Sequence, residues 1–288
     1  MSIRPEVVAF FDPATSTLSY LVRDPGSKSC AIIDPVLDFD YASCRVRHES
    51  ADRIIDRARR DGLDVEWLIE THVHADHLSA APYLKDKLGG RIAIGGKIAQ
   101  VQKIFGEIFA EGPEFSRDGR QFDHLFADGE TYRIGALEAR VMSTPGHTPA
   151  CATHVIGDAA FVGDTLFMPD GGSARADFPG GDARTLFRSI HKILALPPET
   201  RIFVCHDYQP DGRDLAWETT VAEQRAHNIH VRIGVSQDDF VAMREARDAT
   251  LRQPKLIIPS LQVNMKAGRL PEPDARGRRF LKAPLDAL

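Results

Sequence analysis

Thr71-His72-Val73-His74-Ala75-Asp76-His77 sets three imidazoles and a carboxylate within six residues, directly after the run Trp67-Leu-Ile-Glu-Thr71. That run reads as a buried strand ending at a polar cluster. Polar groups this dense beside a core must be hydrogen-bonded or metal-bound, because an unpaired buried carboxylate is expensive. Extended backbone sends His72 and His74 to the same side by the period of two. Asp76 and His77 then fall in the turn that opens the next helix, where they can face a second centre.

Three further groups sit at similar places along the chain. His147 lies in Thr144-Pro-Gly-His-Thr-Pro149, where Pro and Gly fix the backbone after a strand. Asp164 lies in Phe161-Val-Gly-Asp-Thr165 and His206 in Val204-Cys-His-Asp-Tyr208, each just beyond an apolar strand. Singly these are weak signals; their shared position beyond strand ends argues against coincidence. His48, His124, His154, His191, His227 and His230 stand alone and are read as incidental.

Composition narrows what such a constellation can be. The chain has 288 residues, 43% hydrophobic and 27% charged, enough for one large or two smaller domains. Its 36 Lys+Arg against 41 Asp+Glu leave a net charge of -5, which argues against a nucleic-acid surface or a polybasic membrane anchor. Cys30, Cys44, Cys151 and Cys205 form no CxxC pair and are too few for a disulfide scaffold. A metal site must therefore rest on imidazole and carboxylate rather than thiolate. The start Met1 to Glu6 does not read as a signal peptide, and no run of ~18 apolar residues appears, so a soluble cytoplasmic protein is expected.

The rest of the chain alternates strands and helices. Strands are expected at Val7–Asp12, Leu18–Asp24, Cys30–Val36, Arg91–Ile94, Thr131–Ile134, Leu137–Ser143, Ala152–Ile156, Ala159–Gly163 and Arg201–Cys205. Helices are expected from a Ser50 cap to about Gly62, from Ser79 to Leu88 before Gly89-Gly90, and after an Asp182 cap. Two more are expected around 215–227 and 236–248. Residues 97–127 read as a short helix followed by a surface excursion of lid type, and 38–50 as an insertion near the pocket mouth. No linker divides the chain. The two strand–helix halves suggest an α/β fold with two sheets face to face and helices outside: one domain over 1–270, with a loosely ordered tail over 271–288.

These motifs together resemble the metallo-β-lactamase superfamily, whose αββα sandwich of two mixed β-sheets flanked by helices carries a metal site at one edge. By that resemblance His72, His74 and His147 face a first metal, Asp76, His77 and His206 a second, and Asp164 can touch both. Further segments look like the persulfide dioxygenase branch: Ile33-Asp-Pro-Val36, Arg175-Ala-Asp-Phe178, Cys205-His-Asp-Tyr208 and Val263-Asn-Met-Lys-Ala-Gly268. Phe178-Pro-Gly-Gly-Asp-Ala-Arg-Thr-Leu-Phe187 is similar to the bacterial β-lactamase-hydrolase-like members.

The resemblance implies one iron(II) held by His72, His147 and Asp164, with His74, Asp76, His77 and His206 as supporting groups or as a second metal's ligands. It implies glutathione persulfide and O2 as substrates, sulfite as product, Arg175 and Tyr208 as substrate contacts, and possible homodimers. An ordinary salt bridge to Asp177 is an equal reading of Arg175. Eukaryotic members carry Cys where this chain has Ser173 and Ala267, which puts any help from those thiols in doubt here. Two rivals stay open: a glyoxalase-II-like thioester hydrolase with two metal ions, zinc among them, and a non-catalytic persulfide sensor.

Overall fold

The computed structural model describes residues 3–287 of the chain. In chain order it runs β1 (Glu6–Asp12), β2 (Thr17–Arg23), β3 (Ser29–Ile33), β4 (Val36–Asp40), β5 (Arg45–Arg47), α1 (Glu49–Arg60), β6 (Asp64–Ile69), β7 (Leu78–Ser79) and α2 (Ala81–Leu88). It continues with β8 (Arg91–Gly95), α3 (Ile98–Ile108), β9 (His124–Phe126), β10 (Thr131–Ile134), β11 (Leu137–Ser143), β12 (Ala152–Ile156) and β13 (Ala159–Phe161). After α4 (Ala183–Leu194) come β14 (Arg201–Phe203), β15 (Glu218–Thr220), α5 (Val221–His227), α6 (Gln237–Asp248) and α7 (Ile257–Asn264).

The strands form two six-stranded sheets, ordered β1-β2-β3-β6-β8-β9 and β10-β11-β12-β13-β14-β15, with β5-β4-β7 as a small third. Both large sheets are mixed: β3, β6, β8 and β9 run parallel, as do β13 and β14, while the remaining pairs are antiparallel. Alternation along the strands sorts the apolar side chains to two faces. Tyr20, Val22, Trp67 and Ile69 face the second sheet, where they meet Ile134, Phe161 and Phe203. Leu21, Ile32 and Leu68 face outward and are covered by α1, α2, α3 and α7 through Ile54, Leu84, Val101 and Leu261. On the far side α4 lays Leu186, Ile190 and Ile193 against the second sheet. The αββα sandwich expected from the sequence is what the chain adopts.

Local differences have local causes. Ser50 lies inside α1 instead of capping it; Asp38 of β4 accepts its N–H at 2.8 Å and its hydroxyl at 2.6 Å. Residues 97–127 form no lid. After α3, Phe109, Phe115 and Phe122 bury themselves in the outer cluster of the first sheet, and β9 extends that sheet parallel to β8. Phe115 and Phe122 lie in turns, where no periodicity marks their burial. The expected helix at 215–227 is a strand and then a helix: β15 pairs with β14, and Thr220 opens α5 with a capping box to Glu223. Residues 38–50 hold the β4–β5 hairpin, and α7 was not foreseen. Strands expected to reach Gly163 and Cys205 stop at Phe161 and Phe203, because the backbone turns there to present Asp164 and His206. Over 271–287 the backbone has neither helix nor strand, but Lys282 exchanges backbone hydrogen bonds of 2.8 and 2.9 Å with the Gln262 amide. No helix among the described residues is long and apolar enough to cross a membrane.

Candidate metal centre

The site gathers at the ends of four strands. Thr71 to His77 follow β6, His147 follows β11, Asp164 sits in the 3-10 turn after β13, and His206 follows β14. The core fixes these ends. Tyr20 sets its ring 5.4 Å from Phe161 and 5.5 Å from Phe203, each three residues before a site residue, and its hydroxyl donates to Val204 O at 2.5 Å. Two glycines allow the close approach. Gly163 has φ +52, and a Cβ there would lie 2.5 Å from Thr71 Oγ1, so no other residue brings Asp164 against His72 without strain. Gly146, at φ +136, presses on the backbone of Leu186 beside His147.

All seven residues singled out from the sequence meet here. Asp164 Oδ2 stands 3.8 Å from His72 Nε2 and 3.6 Å from His147 Nε2, and its Oδ1 stands 3.3 Å from His206 Nε2. His206 Nε2 also lies 3.4 Å from Asp76 Oδ2. The His74 ring centre is 4.0 Å from that of His72 and 4.1 Å from that of His77. His72, His147 and Asp164 offer donor atoms close enough to share one ion, as do His74, Asp76 and His77.

The pairing of nitrogens tests whether a metal suits these residues. His147 Nδ1 bonds Arg175 O at 2.8 Å, His72 Nδ1 meets Thr71 Oγ1 at 3.0 Å, and His206 Nδ1 faces Ser16 O at 3.3 Å. Their Nε2 atoms are left pointing inward. His72 Nε2, His74 Nδ1, His77 Nε2, His206 Nε2 and Asp164 Oδ1 are all buried with no hydrogen-bond partner. Buried polar atoms without partners are rare. Five of them, spread over adjoining donor groups, fit a bound cation, and imidazole with carboxylate suits zinc, iron or manganese.

Electrostatics separate the imidazoles. Burial, reinforced by the neighbouring imidazoles, holds His72 well below the ordinary histidine range, so it presents a neutral lone pair. Burial works against charge on His206, but Tyr208, Asp164 and Asp76 raise it above that range. Burial likewise opposes His74, yet Asp34 raises it, accepting from its Nε2 at 2.9 Å. Beneath it, burial pushes the Glu70 carboxyl up.

This supporting layer is what sequence reasoning missed. Asp34 takes the N–H of Thr71 at 2.7 Å and its hydroxyl at 2.8 Å. Asn264, at the end of α7, donates to the carbonyls of both His74 (2.9 Å) and His77 (2.7 Å). Asp34 and Asn264 each lie inside a segment that carried the resemblance; Glu70, directly after the apolar run Trp67-Leu-Ile69, is the polar residue whose burial that run could have signalled.

The centre opens into a cavity of ≈ 940 Å³ lined by His147, Asp164, Asp76 and Tyr208, with the β4–β5 hairpin on one side and the α6–α7 segment on the other. Tyr208 is 60% exposed and stacks on His206. Arg175 also lines the cavity, but its guanidinium is engaged: it grips Asp177 at 2.5 and 2.6 Å and donates to Arg252 O at 2.8 Å. Ser173 contacts His230 Nδ1, and Ala267 is buried just past α7. Of the incidental histidines, none comes into the constellation; His154 lies in the core, and His230 braces Ser173.

Residues 12–206 match the family described as the metallo-beta-lactamase superfamily. A probable metallo-hydrolase of Burkholderia pseudomallei is 60% identical over 98% of this chain and 99% of its own length. Glyoxylase B2 of Dictyostelium discoideum is 46% identical over 100% and 99% of the two chains. The human mitochondrial persulfide dioxygenase ETHE1 is 31% identical over 90% and 87%. Among solved structures, ETHE1 from Myxococcus xanthus superposes with a TM-score of 0.72 at 29% identity, covering 92% of this chain and 100% of that one.

Proposed function

This chain belongs to the metallo-β-lactamase superfamily, and from that premise we propose that it is a persulfide dioxygenase. It takes glutathione persulfide, O2 and water to glutathione and sulfite: the S–S bond breaks, the outer sulfur gains three oxygens, and the inner sulfur leaves as the thiol. The observation that carries this reading is the donor set at the floor of the cavity. His72 Nε2, His147 Nε2 and Asp164 Oδ2 lie too far apart, at 3.6 and 3.8 Å, to be hydrogen-bonded pairs, yet close enough to share an ion. Iron(II) held by His72, His147 and Asp164 would supply open coordination positions for a sulfur donor and dioxygen, together with one-electron redox chemistry.

The chain's own residues do the rest. Thr71 and the Arg175 carbonyl orient the two imidazoles, and Asp34 with Asn264 hold the loop that carries His74 and His77. Asp76 and His206 stand beside the triad as polar groups able to hold water or pass a proton. Arg247, Arg252 and Lys255 line the cavity without an acidic partner among the described residues, and Arg175 is already paired. These three cations suit the two carboxylates of glutathione better than Arg175 does. Arg252→Ala is expected to raise KM about tenfold with kcat little changed, as loss of a charge-assisted hydrogen bond to substrate implies.

A second reading has its own observation. Asp164 turns one oxygen to His72 and His147 and the other to His206, which suits two metal ions and a thioester hydrolase of the glyoxalase-II type. The relatives named metallo-hydrolase and glyoxylase stand with it. Turnover decides between the two. Glutathione persulfide consumed with O2 and yielding sulfite in equal amount supports the dioxygenase; thioester cleavage without oxygen uptake contradicts it.

A further inference from the structure

We propose that the buried Arg244–Asp248 pair of α6 is a positioning device for the metal ligand His147, acting through the backbone of residues 173–176. Arg244 is only 1% exposed, and apart from Phe240 it is the main buried side chain on an otherwise polar helix. Its guanidinium holds Asp248 Oδ1 at 2.6 and 2.8 Å and donates through Nη1 to Ser173 O at 3.1 Å. Asp248 spends its other oxygen on the N–H of Ala176 at 2.8 Å.

The two partners thus grip the strap on either side of Arg175. Between those two points is the Arg175 carbonyl that accepts from His147 Nδ1 at 2.8 Å. Fixing that carbonyl puts the proton on Nδ1 and leaves the Nε2 lone pair for the metal, because the bond at one ring nitrogen sets the role of the other. From the outer side, Ser173 N donates to His230 Nδ1 at 3.0 Å, and Arg175 is tied to Asp177, so the strap has no free direction to move.

A buried ion pair is a poor source of net stability, since desolvation offsets most of its attraction. Its worth here is geometric: it pins two backbone groups three residues apart that no apolar side chain could hold. The inference rests on the metal centre alone and not on the reaction proposed above, so it stands whether the ions are iron or zinc.

The test uses the full chain in two variants. Arg244→Lys keeps the charge but cannot hold Asp248 and Ser173 O together. The double variant Arg244→Met with Asp248→Leu replaces both partners by apolar groups, a change that usually preserves folding. Zinc affinity by chelator competition should fall about ten- to hundredfold in both, the cost typical of losing a supporting partner. In metal-free protein the His147 Nδ1–H resonance, read by ¹⁵N-histidine NMR, should broaden or vanish. Ile54→Val in α1 serves as the control: it lowers stability while leaving zinc affinity and that resonance unchanged. Folded Arg244 variants with wild-type zinc affinity and an intact His147 resonance would overturn the proposal.

Discussion

His72 and His154 are both buried, and their hydrogen bonding is nearly the same. Each has Nδ1 facing a hydroxyl at 3.0 Å, Thr71 for one and Tyr132 for the other, and each leaves Nε2 without a partner. What differs is the company of that free nitrogen. Around His72 stand His74, His147 and Asp164, with donors aimed at a common volume. Around His154 stand the rings of Phe126 and Tyr132, at 5.1 and 5.8 Å. One unsatisfied atom is a cost that a core can absorb; several converging are a site. The site histidines also sit beyond strand ends, where backbone can turn to aim them, whereas His154 lies inside β12.

The contrast can be broken most sharply at Asp164. Asp164→Ala removes the carboxylate that two imidazoles face, so bound metal and activity should both fall by more than the about hundredfold that a supporting residue costs. Elemental analysis of the purified variant checks this; retained metal would make the constellation an ordinary polar cluster. On the other side of the comparison, Phe126→Ala opens a cavity beside His154 and should cost about 3–5 kcal/mol in urea unfolding. Metal content per folded chain should not change, since the loss is one of packing.

His154 gives the next largest effect, through pH. Burial pushes its pKa down from 6.5 to about 4. Above pH 6.5 neither the folded nor the unfolded chain protonates this ring, and its contribution to stability is complete. Between 6.5 and 4 the unfolded chain takes a proton that the folded chain refuses, so stability falls as pH falls, by up to about 3 kcal/mol from this group. Below 4 both states are protonated and the loss stops. Replacing the pair together, His154→Leu with Tyr132→Phe, should flatten that slope in urea titrations at stepped pH. A slope identical to the parent's would show that His154 titrates normally.

A smaller effect is expected one layer below the metal. Asp34→Asn keeps the shape and tolerates the left-handed backbone at φ +48, but loses the charge under His74 and Thr71. Metal affinity should weaken about tenfold or somewhat more with the fold intact. An unchanged dissociation constant would demote Asp34 to a turn residue.

The same two regions explain how far the sequence could be read. Short apolar and β-branched runs between turn residues located β10, β11 and β12 to the residue, and polar groups just beyond apolar runs located all seven side chains that converge on the site. Those signals are local. What stayed hidden depends on distant contacts: Phe115 and Phe122 have no periodicity to betray their burial, and Asp38 caps a helix from another element. Asp34, Glu70 and Asn264 come from three separate segments and acquire a purpose only when the fold brings them under His74 and His77. The Arg244–Asp248 pair is of the same kind, since nothing in a polar helix marks which charge will be buried.

The most direct measurement is the metal content of protein purified without oxygen, taken together with oxygen uptake on addition of glutathione persulfide. About one iron per chain, as a two-histidine, one-carboxylate set implies, with uptake that depends on the persulfide is the expected result. Two zinc ions per chain, thioester hydrolysis and no oxygen consumption would contradict it.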